Sequence, residues 1–333
     1  MDTLFAKRSN QVFHIFPAER MELYGIETNP VPEGAVVGEV MTSDGVSLRY
    51  ARWRPSGRKT LGTVCLFQGR AECIERYFET IDDLRRKGFA VATVDWRGQG
   101  GSERVLRNAK KGHVDSFDEY DRDIDAFMHQ VALPDCPPPY FALAHSTGGL
   151  VCLRSAQSGR ARFSRMVLAA PLIALGRKRP SPGVIQTGTA LMTAVGLGEL
   201  SLSRSHNRAI ADNIFEGNPF TSDPDRFARN SAIYKQLPQV SVGPPTYGWL
   251  HAACKAMAEA SEPDFASSIT VPTLVVVGMR DAVVSVSAVE ALAGELRAGA
   301  LVMLPGAKHE VMMERDGLRE QFWAAFDAFI PGS

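Results

Sequence analysis

The stretch Tyr140-Phe-Ala-Leu-Ala-His-Ser-Thr-Gly-Gly-Leu-Val-Cys-Leu153 decides how this chain is read. Its first half is a short apolar run of the kind buried as a strand, and Thr147 to about Gln157 reads as a helix. One serine, Ser146, stands between them among small residues. A chain that passes from strand to helix within one or two residues strains its backbone at the turn, and strand and helix crowd the neighbouring side chains. Small-x-Ser-x-Gly is the sequence form of such a turn, which lifts a serine hydroxyl to the edge of a sheet at a helix N-terminus. Ala144 stands where that pattern has glycine, one methyl group larger. Taken alone, the segment reads equally well as a helix-capping serine.

The flanking sequence alternates strand and helix. Strands are expected around 36–41 and 46–53, joined by the turn Ser43-Asp-Gly, and then at 63–67, 90–94, 165–170, 273–277 and 300–304. Helices are expected at 76–87, 117–131, 286–297 and 317–329. β-Branched strands alternating with helices predict an α/β fold, a mostly parallel twisted sheet covered on both faces. The chain is read as one domain, 1–333, whose alternation is interrupted at 172–256 by an inserted helical cap over the sheet. In that insertion Val184, Gly188, Leu191 and Val195 share a helical face, and Asp223-Pro224 reads as an N-cap followed by Pro at the first helical position. The apolar face has two readings, packing on the core or lining an acyl pocket; on the second, Leu191 and Met192 are candidate substrate contacts. Residues before Gly34 yield no assignment beyond an irregular lead-in.

Composition narrows the function classes. The 333 residues carry 37 Lys plus Arg against 37 Asp plus Glu, so no overall field favours nucleic acid or an anionic membrane. The five cysteines form no C-x-x-C pair, and Cys65 and Cys152 lie in apolar runs, which suits buried thiols in a reducing compartment. Met1-Asp-Thr-Leu-Phe-Ala-Lys-Arg8 has no apolar core of a signal peptide, and no apolar run approaches the ~20 residues of a membrane span. The expectation is a cytoplasmic protein. Arg177-Lys-Arg179 reads first as a solvated face and second as a contact for an anionic headgroup at the inner membrane surface. Oligomeric state is not legible.

A serine hydroxyl needs a base to take its proton and a carboxylate to orient that base. On a sheet of this type the chain order is Ser, acid, His, with acid and base on loops after late strands. His14, His113, His129 and His145 precede the serine, and His206 and His251 lie in the insertion. Only His309, in Leu304-Pro-Gly-Ala-Lys-His-Glu310, follows the last strand. The loop after 165–170 has no acid before Glu199, whereas Gly278-Met-Arg-Asp281 places Asp281 directly past a strand end. The expected catalytic set is Ser146, Asp281 and His309. The oxyanion of a tetrahedral intermediate needs backbone N–H donors, expected from Thr147 and from Arg70 in the loop Gln68-Gly-Arg-Ala-Glu72.

These motifs together resemble the α/β-hydrolase superfamily, in its bacterial lysophospholipase and monoacylglycerol-lipase-like branch. The resemblance rests on Gln68-Gly-Arg with Tyr77, Asp95-Trp-Arg-Gly-Gln-Gly-Gly-Ser102, Gly112-His-Val-Asp-Ser-Phe117, Asn218-Pro-Phe-Thr-Ser-Asp-Pro224 and the three loops above. It implies hydrolysis of a small single-chain lipid ester without a cofactor or metal. Gln68 departs from the His-Gly of many relatives, but the expected donor is main-chain. A broad-specificity esterase, or acyl transfer or perhydrolysis on the same scaffold, is the alternative. Gly98-x-Gly-Gly101 lacks the third glycine of a dinucleotide fingerprint and reads as a structural turn. His113-x-Asp115 has no partner cluster for a metal, and Tyr247 and Trp249 read as packing residues.

Overall fold

The computed structural model describes residues 22–176, 182–202 and 214–331. The lead-in before Glu22, the Arg177-Lys-Arg179 cluster, His14 and His206 lie outside the described residues.

Among the described residues eight strands form one sheet: β1 (Val36–Met41), β2 (Ser47–Trp53), β3 (Thr63–Phe67), β4 (Ala90–Val94), β5 (Tyr140–His145), β6 (Arg165–Ala169), β7 (Thr273–Gly278) and β8 (Gly299–Leu304). Their spatial order is β1-β2-β4-β3-β5-β6-β7-β8. β2 runs antiparallel to both β1 and β4, and every other pairing is parallel. The expected turn Ser43-Asp-Gly joins β1 to β2, with Gly45 at φ 82°.

Every residue of β3, β4 and β7 is buried, because alternate side chains serve two cores. On β3, Cys65 and Phe67 enter the core beneath α2 (Asp118–Phe127) and α3 (Thr147–Gln157). Val64 and Leu66 enter the opposite core, shared with Ile81 of α1 (Phe78–Arg86) and with Phe322 and Phe326 of the C-terminal helix. Two expected helices differ in detail. The first opens as a 3-10 turn, Ile74–Tyr77, before α1. The second passes from α2 into a π turn, Met128–Ala132.

Between β6 and β7 the described residues form α4 (Pro182–Ala194), α5 (Pro224–Gln236) and α6 (Tyr247–Ala260). Asp223 caps α5 as its sequence implies, its carboxylate accepting from the Asp225 and Arg226 amides at 2.9 and 2.8 Å. α7 (Val286–Glu295) and α8 (Asp316–Phe329) complete the fold. The insertion is fastened to loops at the C-terminal ends of the strands. Tyr234 Oη donates to Ala71 O at 2.9 Å after β3, and Glu310 N donates to Phe220 O at 2.8 Å after β8. The expected apolar face of α4 does not pack on the core: Val184, Leu191 and Val195 are 64%, 64% and 59% exposed. Among the described residues no helix is long and apolar enough to cross a membrane.

A further link ties insertion to sheet. Glu79 on α1 receives Arg226 at 2.6 Å and Arg229 at 2.8 Å from α5, with Arg319 of α8 beside it. Burial alone would raise the Glu79 carboxyl, but the three guanidiniums hold it at about 2, below its ordinary 4.5. A carboxylate with a depressed folded-state pKa stabilises above its unfolded value and loses that contribution as pH falls toward the folded one. Glu79→Gln is therefore expected to lower the urea midpoint at neutral pH. The gap from wild type should narrow below about pH 4.5 and close near pH 2. A gap independent of pH would show that the charge is not what links these helices.

Candidate active site

Ser146 makes the turn between β5 and α3 at φ 49° and ψ −113°, a conformation that costs a non-glycine residue roughly 1–3 kcal/mol. The turn persists because its surroundings over-determine it. Ser146 N donates to Ala169 O at 3.0 Å, and Ser146 O accepts from the Gly149 and Leu172 amides at 3.0 Å each. A Cβ on Gly148 would lie 2.6 Å from Gln68 O and 2.8 Å from Phe67 O, so only glycine lets the helix start approach the loop after β3 this closely. Among the described residues, three non-glycine residues have positive φ, Ala71, Ser146 and Ala170, and all lie just past strand ends at this edge.

Asp281 and His309 are brought together from the ends of β7 and β8. His309 Nδ1 lies 2.7 Å from Asp281 Oδ2, and Asp281 Oδ1 accepts from the Val283 and Val284 amides at 2.7 and 3.0 Å. Burial works to raise the Asp281 carboxyl, but the His309 bond and the two amides outweigh it and hold the pKa below the ordinary value. Asp281 therefore stays ionised and fixes His309 with Nδ1 toward it, leaving Nε2 to meet a proton donor. Ser146 is 8% exposed, and the ring of its neighbour His145 lies tilted against that of His309, centroids 4.8 Å apart. Among the described residues the Ser146 hydroxyl has no hydrogen-bond partner, so its bond to His309 is not made in this state; resting sites often tighten only around substrate.

The two expected donors are also available. Thr147 N is the first amide of α3, and neither it nor Arg70 N donates to another described group. The loop carrying Arg70 is built from below by the Asp95–Ser102 segment. Trp96 Nε1 donates to Gln68 O at 2.8 Å, Gln99 Nε2 donates to Gly69 O at 2.8 Å, and Ala71 N donates to Gln99 Oε1 at 3.1 Å. Asp95 is clamped by Arg49 at 2.8 Å from Nε and by Gly101 N at 2.7 Å. A Cβ on Gly100 would lie 2.1 Å from the Asp95 carboxyl carbon. These glycines thus seat an ion pair, leaving no cradle for a phosphate.

Other motifs find structural partners. His113 bridges Thr246 Oγ1 at 2.7 Å and Asp115 at 3.1 Å, and no cluster able to hold a metal occurs among the described residues. Trp249 is buried, its indole N–H on Tyr120 Oη at 2.9 Å. Asn218–Asp223 wraps the His309 loop: Lys308 Nζ donates to Asn218 O at 2.8 Å, and Thr221 Oγ1 donates to Met313 O at 2.7 Å. The Arg70 side chain reaches the insertion, donating to Gly243 O at 2.8 Å and lying 5.0 Å from the Trp249 ring centre. Of the two α4 candidates, Leu191 faces outward and Met192 is half-buried. Sequence reasoning missed Glu72 and set His145 aside. The four-residue spacing of Glu72 and Arg76, an ion-pair spacing, was the available signal.

A family model for serine aminopeptidases of the S33 type matches residues 58–316. The chain belongs to that family of α/β-hydrolases. The hydrolase is 28% identical over 293 residues to lysophospholipase L2 of Escherichia coli K12, covering 83% of this chain and 82% of that one. It is likewise 28% identical over 273 residues to a monoacylglycerol lipase of Mycolicibacterium smegmatis, covering 81% and 88%. Among solved structures, a soluble variant of Saccharomyces cerevisiae monoglyceride lipase superposes with a TM-score of 0.69 at 20% identity, covering 92% of this chain and 99% of that one. The last likeness concerns the fold alone.

Ala144 lies fully buried in β5, paired between Phe67 and Leu168. Ala144→Gly is expected to keep activity and change stability by no more than about 1 kcal/mol. Ala144→Val should cost roughly 1–3 kcal/mol through overpacking and displace Ser146 as well. Thermal midpoints and the hydrolysis rate of a short ester measure both; a fully stable, fully active valine variant would mean that the turn is not crowded.

Proposed function

We propose that this hydrolase cleaves the ester of single-chain glycerolipids, lysophospholipid or monoacylglycerol, through an acyl-enzyme on Ser146. The observation that carries the reading is the bonded Asp281–His309 pair at two strand ends beside a serine held in a strained strand-to-helix turn. Ser146 Oγ attacks the ester carbonyl while His309 Nε2 takes its proton. The oxyanion is received by the Arg70 and Thr147 amides, which need no reorganisation when charge develops. Collapse expels the glycerol oxygen, which takes the proton from His309. Water, deprotonated by His309, then attacks the acyl-enzyme, and Ser146 recovers its proton as the fatty acid leaves. Asp281 orients the imidazole and stabilises its charged form throughout.

The 182–202 and 214–256 segments serve as the cap in this reading, with Leu191 and Met192 meeting the acyl chain. Arg70 favours phosphate-bearing lipid over neutral glyceride. Among the described residues no carboxylate pairs with its guanidinium, its Nε is buried without a partner, and burial draws its pKa down to about 10. A desolvated cation beside the donor loop is best compensated by an anionic substrate group.

Ser146→Ala and His309→Ala should each lower kcat by at least about 10⁴-fold with folding intact, and Asp281→Asn slightly less, since the three act as a unit. Fluorophosphonate labelling should map to Ser146 alone; labelling elsewhere would remove the reading. A hydrolysis panel of lysophosphatidylethanolamine, monoacylglycerol of the same chain, short nitrophenyl esters and an aminoacyl nitroanilide tests the substrate class. Preference for the lysophospholipid is expected. Equal rates on both lipids would mean that the Arg70 side chain only fastens the insertion, and preference for the anilide would make the enzyme a peptidase.

A further inference from the structure

Behind the expected site lies a buried charge cluster that the mechanism above does not use. Glu72, 4% exposed, stands at its centre. Its Oε2 accepts from Gly69 N at 2.5 Å and from Tyr77 Oη at 2.6 Å, while its Oε1 accepts from Arg76 Nη1 at 3.3 Å. His145 Nδ1 lies 3.1 and 3.2 Å from the two oxygens. Arg76 continues to Glu310 at 2.7 Å, and His145 Nε2 lies 3.4 Å from His309 O. The room is tight: a Cβ on Gly69 would fall 2.9 Å from Glu72 Oε2 and 3.0 Å from His145 Nδ1.

Each contact touches the neighbour of a residue that acts. Gly69 precedes the Arg70 donor, His145 precedes Ser146, and Glu310 follows His309. Both nitrogens of His145 face oxygens, so a neutral ring would set one lone pair against an acceptor, whereas an imidazolium donates to both. Burial opposes that charge, but Glu72 outweighs it and raises the His145 pKa. The same neighbours, His145 and Arg76, keep Glu72 ionised against its own burial. Glu72 and Glu310 then balance Arg76 and His145, and the cluster is neutral overall.

We propose that Glu72, with His145, is a positioning residue for turnover, holding the Gln68–Gly69 peptide so that the next amide in the loop, Arg70 N–H, meets the oxyanion. The inference rests on the assignment of Ser146 and the Arg70 amide above. A charged acceptor holds the preceding Gly69 amide at 2.5 Å, Gln99 Nε2 holds Gly69 O of the Arg70 peptide itself at 2.8 Å, and the strained Ala71 that follows, at φ 61°, donates to Gln99 Oε1, so the peptide is held on both sides. The donor's direction is thereby set before substrate arrives, which is what an oxyanion site requires.

The test is Glu72→Gln, which keeps the shape and removes the charge, with rates normalised to sites titrated by a fluorophosphonate. Loss of a whole oxyanion donor costs ~10²–10³ in kcat, so misdirecting one should cost about 10- to 100-fold. KM should stay within about twofold, and affinity for an alkyl boronic acid, which mimics the tetrahedral intermediate, should fall by the same factor as kcat. Tyr77→Phe leaves the carboxylate charged, removes one of its bonds, and should show the same pattern at about 2- to 5-fold. It carries the test should Glu72→Gln fail to fold. A purely structural role would lower the thermal midpoint and the titratable fraction, leaving kcat per site and boronate affinity unchanged; that result overturns the proposal. So does a kcat loss without a matching loss of boronate affinity. If wild type does not label at Ser146, the catalytic reading itself fails, an outcome separate from either.

Discussion

A serine at φ 49° is held in place by strand, helix and loop at once, and the geometry of this edge of the molecule follows from that constraint. β5 delivers it from the middle of the sheet, where β3 and β6 flank it, so that the turn cannot relax sideways. The helix that starts at Thr147 is drawn against the loop after β3 because Gly148 has no side chain to keep them apart. The Thr147 and Arg70 amides, one at a helix start and one in a neighbouring loop, donate to no other described group.

The second feature is how ion pairs replace hydrophobic packing at this edge. The two cores above and below the sheet are aliphatic and aromatic, but the loops at the C-terminal ends of the strands are tied by buried charge. Arg49 with Asp95 and Glu75 anchors the turn that supports Gln68–Ala71, and Arg97 with Asp123 and Asp44 anchors the other side of the same turn. Glu72 with Arg76 and His145 follows one step nearer to the serine. Loops cannot bury enough apolar surface to fix a peptide to a fraction of an ångström, whereas charge-assisted hydrogen bonds have direction. Burial of such groups is expensive and tolerable only when each is paired, which these are. Arg70 stands out against that background.

The insertion plays a different part. Its α6 packs into the core with Leu250, Ala253 and Met257, α5 is joined to the sheet side by polar links such as Glu79 to Arg226 and Tyr234 to Ala71, and α4 turns Val184 and Leu191 outward.

Much of this was legible in the sequence. The eight strands were placed by apolar, β-branched runs, and strand-to-helix alternation fixed a mostly parallel sheet, because a crossover helix is the usual way to join parallel neighbours. Ser146, Asp281 and His309 could be singled out as candidates because each lies just past a strand end and chain order left one histidine and one acid, and the structure brings Asp281 and His309 into contact. What sequence could not supply were contacts made across long separations. The α4 periodicity gives a face but not what it meets, and it turned out to meet nothing in the core. Glu72 and His145 are separated by 73 residues and look ordinary in sequence. Their significance arises when β3 and β5 lie side by side, because pairing in a sheet depends on strand order, which local propensity does not encode. The spacing of residues fixes what a segment is; only the assembled sheet decides which segments share a carboxylate.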